Sequence, residues 1–174
     1  VENVSEIKIA EEYHILLNTT AGHALAVTGA GLIVMGKELI EAFTACVPEQ
    51  YRFMIHWEAN PEPARFRFGD SKCLDSLGIW VFPIGLGFHF FGFLRIHIVE
   101  GLAPLLWSHS VMDELRCVIK IHEKAIASEL LNLGLTTTKL QSGHLEVALT
   151  EYPETWNEEN QEQVVKTKEI VLNK

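Results

Sequence analysis

Ser108, His109 and Asp113 bring a hydroxyl, an imidazole and a carboxylate close together in sequence, the three group types of a nucleophilic triad. A serine nucleophile of that kind needs a strained strand-to-helix turn, and the Gly-Xaa-Ser-Xaa-Gly pattern that makes one is absent. The chain has eight histidines. His89 and His97 fall in one predicted strand at even spacing, which places them on one face, while His56, His109, His122 and His144 are scattered. A metal site needs three or four converging ligands with supporting partners, so these side chains read as structural groups and no metal is expected. Gly29-Ala30-Gly31 follows a predicted strand but lacks the later glycine and the acidic partner of a dinucleotide loop, and no cofactor is expected. The most specific segment is defined by a missing group. An apolar run, Ala24-Leu25-Ala26-Val27, enters Thr28-Gly29-Ala30, and its last position is an isopropyl group that can neither hold nor transfer a proton.

The 174 residues suit one domain with extensions, and an apolar fraction of 48% is enough for a core. Net charge is −9, which argues against a nucleic-acid partner, since a phosphate backbone requires a basic patch. The acidity concentrates at Glu2, Glu6, Glu11 and Glu12 and again between Glu151 and Glu169. Cys46, Cys73 and Cys117 form no zinc pattern and no disulfide framework, and they read as free thiols in a reducing, intracellular compartment. The longest apolar stretch, Leu77 to Phe93, is broken by Pro83, His89 and four glycines, short of the ~20 uninterrupted apolar residues of a spanning helix. No signal peptide is visible, and the start at Val1 reads as that of a fragment or processed form.

Short β-rich segments dominate the pattern. Ile7 to Ile9, Tyr13 to Leu17 and Ala24 to Thr28 read as strands, the last two as a hairpin that positions the Thr28-Gly29-Ala30 loop. Leu39, Ile40, Phe43 and Val47 recur at helical spacing until Pro48. Tyr51 to Trp57 reads as a strand, Asn60 to Pro63 as a loop, and Arg65 to Phe68 as a half-buried strand ahead of a turn at Gly69 to Lys72. Ile79 to Ile84 and Phe88 to Val99 form long strands around Gly85-Leu86-Gly87, with a bend near Gly92. A short buried strand at Ala103 to Trp107 leads to a helix from Val111 to Arg116 capped by Ser110. Cys117 to Ile121, Leu135 to Leu140 and His144 to Leu149 read as strands, and Glu123 to Gly134 fits helix or hairpin. Residues 1–152 make the domain, and 153–174 a polar C-terminal extension whose Val164 to Val171 would be ordered only by docking.

These features together resemble the retropepsin-like aspartic protease domain of retrotransposon polyproteins. Thr28, Gly29 and Ala30 match the loop of that family, in which an aspartate stands where this chain has Val27. Val34, Gly36, Lys37 and Glu38 match a Val-Xaa-Gly-Lys-Glu-Trp segment at the right offset. Arg67-Phe68-Gly69-Asp70, Ser76-Leu77-Gly78, Val81-Phe82-Pro83, His97 to Glu100 with Pro104-Leu105-Leu106, and Ser142-Gly143-His144 follow in the family's order. The resemblance covers about Tyr13 to Leu149. It implies a mainly β fold, a closed acid-protease barrel with one or two short helices. It also implies a homodimer in which two aspartates share one proton and activate water.

That chemistry is missing here. Gly31 stands where threonine is usual and Leu39 where tryptophan is usual, so several positions have departed together. No catalytic residue is assigned, and the Val27, Thr28, Gly29 and Ala30 loop reads as degenerate. The aromatic hairpin carrying Trp80, Phe82, Phe88 and Phe90 resembles the family's flap and is heavy enough to be packed permanently, against the core, a peptide or a partner. The expected role is a non-catalytic, protein-binding or structural subunit, whether a homodimer or part of a larger complex. The alternative is an aspartic endopeptidase inactivated at position 27 or supplied with aspartate in trans.

Overall fold

The computed structural model describes residues 5–8, 20–27, 31–58, 64–68, 72–154, 164–166 and 170–173. The first strand, β1 (Ser5–Lys8), and the last two are described as backbone. In chain order there follow β2 (His23–Ala26), β3 (Val34–Gly36), a 3-10 turn at Lys37–Leu39, α1 (Ile40–Cys46), α2 (Glu49–Arg52), β4 (His56–Glu58), β5 (Ala64–Arg67) and β6 (Cys73–Asp75). The long hairpin is β7 (Gly78–Leu86) and β8 (His89–Val99), followed by β9 (Leu106–Trp107) and α3 (His109–Glu114). Then come β10 (Cys117–Lys120), β11 (Ala125–Ser128), β12 (Leu133–Leu135), β13 (Thr137–Lys139), β14 (Leu145–Ala148), β15 (Val164–Lys166) and β16 (Ile170–Asn173).

The chain is mainly β with few, short helices. Ten strands share one sheet, ordered β13-β14-β2-β9-β3-β8-β16-β15, with β7 on the other edge of β8 and β4 outside β7. Two three-stranded sheets, β1-β5-β6 and β10-β11-β12, complete the set. Among the described residues no sheet closes on itself, so the closed barrel is not found. β8 carries much of the architecture because one edge is shared: β3 pairs parallel with Val99 and its neighbours, and β16 pairs antiparallel with Leu94 and its neighbours. The C-terminal extension thereby adds its backbone to the main sheet.

Local sequence explains most of these elements. Phe43 and Val47 are buried on one side of α1, with Leu39 and Ile40 packed beside them, as the helical spacing predicts. Pro48 then starts α2 as its N-cap, since its fixed φ suits a helix entry. Tyr51 and Arg52 therefore belong to α2, not to a strand, and only His56–Glu58 is extended. β5 alternates buried and exposed as the Arg65-Phe66-Arg67 pattern requires. The turn of the long hairpin is Gly87-Phe88, with φ of 55° and 63°, and a bulge separates the Ile84–Gly92 pair from the Gly85–Phe90 pair. That extra residue breaks the alternation between His89 and His97, so their even spacing no longer puts them on a shared face.

Ser108, not Ser110, caps α3: its backbone is extended and its hydroxyl accepts the Val111 N–H at 3.2 Å. The ambiguous Glu123 to Gly134 segment is a hairpin, β11 and β12, joined antiparallel. The segments Tyr13 to Leu17, Thr28 to Ala30, Asn60 to Pro63 and Gly69 to Ser71 lie outside the described residues. The larger core gathers Phe43, Tyr51, Trp80, Phe82, Leu94, Ile96 and Trp107, and a smaller one gathers Leu25, Val34, Phe66, Val99 and Leu106.

Candidate functional site

The end of β2 carries the loop singled out by the sequence. Leu25 N–H donates to the Leu105 carbonyl at 2.8 Å and Val27 N–H to the Trp107 carbonyl at 3.3 Å, so the parallel pairing with β9 extends to the loop's first residue. Thr28, Gly29 and Ala30 lie outside the described residues. On the far side, the Gly31 carbonyl accepts from Ser110 Oγ at 3.0 Å, and Ser110 Oγ lies 3.3 Å from Ser108 Oγ. Both ends of the loop are thus tied to the corner between β9 and α3. The Val27 side chain is half-buried and packs against the smaller core beside Leu32, Leu74 and Leu140. It meets hydrocarbon and holds no titratable group toward the loop.

The other candidate reactive residues are accounted for locally. Ser108 is fully buried and engaged as a helix cap, which removes it as a nucleophile. Asp75 is held by Arg65, with 2.8 Å between Oδ1 and Nε, and Asp113 sits on α3. Asp70 lies outside the described residues. His97 Nδ1 is 2.8 Å from Ser76 Oγ, His144 Nδ1 is 3.0 Å from Ser142 Oγ, and His89 Nδ1 is 2.9 Å from the Gly87 carbonyl. Among the described residues no three His, Cys, Asp or Glu side chains gather as a metal site.

The aromatic hairpin is built into the core. Trp80 and Phe82 are buried with their rings 5.1 Å apart, and Phe82 meets Phe43 edge-on at 5.9 Å. They form the core, not a contact surface. Phe90 is half-buried and stacks on Tyr51 at 6.2 Å, and Tyr51 stacks on Tyr152 at 4.8 Å. Tyr152 donates its hydroxyl to the Pro83 carbonyl at 2.6 Å, and burial pushes that phenol well above its usual range. At Gly85 a Cβ would come within 2.4 Å of the Glu151 carbonyl oxygen, so only glycine lets the chain past β7 this closely. Of the four aromatics, only Phe88 is presented outward, 66% exposed on a turn residue with positive φ.

Two features were not legible in the sequence. Trp107 is 1% exposed, yet its indole Nε1–H has no hydrogen-bond partner among the described residues. It borders a tight void lined also by Ala26, Met112, Cys117, Ile126, Leu135 and Val147, with no room for a water. On the outer side of Met112 and Cys117 lies an open cleft of about 480 Å³ between α3 and β10. Burial pushes the Cys117 thiol up to about 11. The clue in the sequence was the short alternation Cys117-Val118-Ile119-Lys120, which marks a half-exposed strand without telling which edge is free.

Comparison with protein-family models, with characterised proteins and with solved structures gives no match. No helix among the described residues is long and apolar enough to cross a membrane.

Proposed function

We propose that the chain is a non-catalytic, retroelement-derived pseudo-protease of retropepsin-like ancestry that serves as a protein-binding or structural subunit of a larger assembly. The observation that carries this reading is the packing of Val27. The position that the resemblance reserves for a catalytic carboxylate is an aliphatic side chain set into an apolar cluster, with both ends of its loop bonded to the β9–α3 corner. A scaffold with no acid and no base at that point supports association and not hydrolysis. The hairpin aromatics that a mobile cover would expose are mostly spent on the chain's own core, and the free cysteines suit a reducing intracellular compartment.

The test is native mass determination of the protein purified from its source, with crosslinking to its neighbours. A defined complex with other proteins supports the subunit role. A free chain with pepstatin-sensitive peptidase activity overturns it.

A further inference from the structure

The cleft beside α3 runs along a strand whose outer edge is unpaired among the described residues. β10 pairs with β11 in the register Cys117–Ser128, Val118–Ala127, Ile119–Ile126, and no other strand flanks it among the described residues. One step before this register, Glu129 N–H donates to the Arg116 carbonyl at 3.0 Å. Hydrogen-bonded and non-hydrogen-bonded pairs alternate along an antiparallel ladder. Arg116–Glu129 being of the bonded kind, so is Val118–Ala127, and Cys117–Ser128 and Ile119–Ile126 are not. The N–H and C=O groups of Cys117 and Ile119 therefore turn away from β11, toward the open edge. An edge of this kind is a template for one more strand.

The surroundings say what that strand carries. Met112 is buried, and Cys117 and Ile119 are half-buried, giving the cleft an apolar floor. Asp113, Arg116, Glu129 and His109 are exposed at its margin, two carboxylates against one guanidinium and an imidazole, and Lys120 at the far end of β10 is paired with Glu123 at 3.6 Å, on a chain of net charge −9. We infer that the outer edge of β10 takes an extended peptide by strand addition, with an apolar side chain seated over Met112 between Cys117 and Ile119 and basic residues on either side of it. Main-chain bonds supply affinity, the seat selects the apolar side chain, and the acidic margin favours lysine and arginine. This rests on the protein-binding role proposed above and gives it a surface and a partner class, separate from the β2 loop.

The test uses a phage-displayed library of random linear peptides, selected on the immobilised full chain and then measured as synthetic peptides in solution. Selected peptides are expected to hold an apolar residue flanked by lysine or arginine, and to bind more weakly as salt rises. Ile119→Pro removes the outward N–H without touching the ladder to β11, a substitution that an edge strand tolerates. It is expected to weaken binding at least about tenfold, with some fall in melting temperature because Ile119 also packs against the larger core, so binding is compared at a temperature where circular dichroism shows both chains folded. Amide exchange on the wild-type chain needs no variant: peptide binding is expected to slow exchange at Cys117 and Ile119. Peptides that bind Ile119→Pro equally well and leave those two amides unprotected overturn this surface while leaving a protein-binding role intact. A wild-type dimer that Ile119→Pro converts to monomer assigns the edge to a second copy and overturns the peptide. Failure to select any peptide, together with a chain that is monomeric and uncomplexed when isolated from its source, overturns both.

Discussion

Placing a carboxylate at the loop entrance by Val27→Asp tests the proposed pseudo-protease reading. Val27 is half-buried against the smaller core, so replacing its isopropyl group forfeits part of an aliphatic burial, about 1 kcal/mol. A carboxylate in the same place loses water without gaining a partner from the apolar cluster, which adds about 1–2 kcal/mol. The total, about 2–3 kcal/mol at neutral pH, corresponds to a fall in melting temperature of about 5–10 °C for a chain of this size. The sign of the pH dependence follows from the same burial. Desolvation raises the carboxyl pKa in the folded state, so the folded chain binds more protons than the unfolded one over the window between the two pKa values. The deficit against wild type therefore grows as pH rises through that window and shrinks in acid. Val27→Asn, equal in shape and uncharged, is expected to show a deficit that does not change with pH. Paired denaturation curves at acid and neutral pH measure this, and cleavage of an unfolded protein substrate, with and without pepstatin, measures activity. No proteolysis is expected, because Gly31 and the core-bound hairpin also differ from what the reaction needs. A Val27→Asp chain as stable as wild type at neutral pH, or one with pepstatin-sensitive turnover, refutes the reasoning.

Three further outcomes are expected. Trp107→Phe removes an indole N–H that has no partner among the described residues while keeping most of a buried ring, so the gain of about 1–3 kcal/mol from the lost desolvation penalty offsets the smaller ring, and the chain stays within about 1 kcal/mol of wild type by urea denaturation. Trp107→Leu, which leaves a true cavity, loses several times more. Phe88→Asn is expected to stabilise by about 1 kcal/mol, since Phe88 is 66% exposed and holds φ of 63°, which asparagine adopts at lower cost; thermal denaturation reads it. Cys117, pushed by burial from 9.0 to about 11, is alkylated by iodoacetamide at pH 9 far more slowly than the exposed Cys73, because it is half-buried and only about a hundredth of it is thiolate there. The same shift makes the folded state hold its proton longer, so stability falls as pH rises between those two values.

Much of this fold can be read from the chain alone where one local signal dominates. The β7–β8 hairpin follows from two apolar runs meeting at Gly87, and the irregularity at Gly92 from a glycine inside a long strand. α1 follows from the spacing of Phe43 and Val47. The misreadings have a common cause, a residue with two permitted roles. Pro48 ends one helix and equally begins the next, which moved Tyr51 from strand to helix. Ser108 and Ser110 are both good caps, and the extended backbone at Ser108 decides between them. Glu123 to Gly134, left open between helix and hairpin by its composition, is decided by tertiary pairing, since β11 is held by β10 and β12 on its two sides. Barrel closure depends on which distant edges meet, and alternation along a strand carries no record of that. The free edge of β10 was hidden for the same reason.

The packing of the chain bears on whether the proposed pseudo-protease keeps a role. Gly85 is required because the Glu151 carbonyl crosses where a side chain would stand, and Gly36 because Gly101 and Ala103 press on it from the other side. Ser108 satisfies the first turn of α3, and Tyr51 and Tyr152 close the core through hydroxyls bonded to the Pro153 and Pro83 carbonyls. None of these positions is one that the proposed ancestral chemistry would use, and a single substitution at most of them costs more than about 1 kcal/mol in a molecule of ordinary marginal stability. Drift without function removes such constraints as readily as it removes a catalytic group, since most random substitutions destabilise. On the proposed pseudo-protease reading, demanding contacts that remain mutually consistent are better explained by a role that needs the shape and not the reaction. α3 joins the two halves of that role: its first turn straps the inert loop, and its last turn walls the cleft along β10.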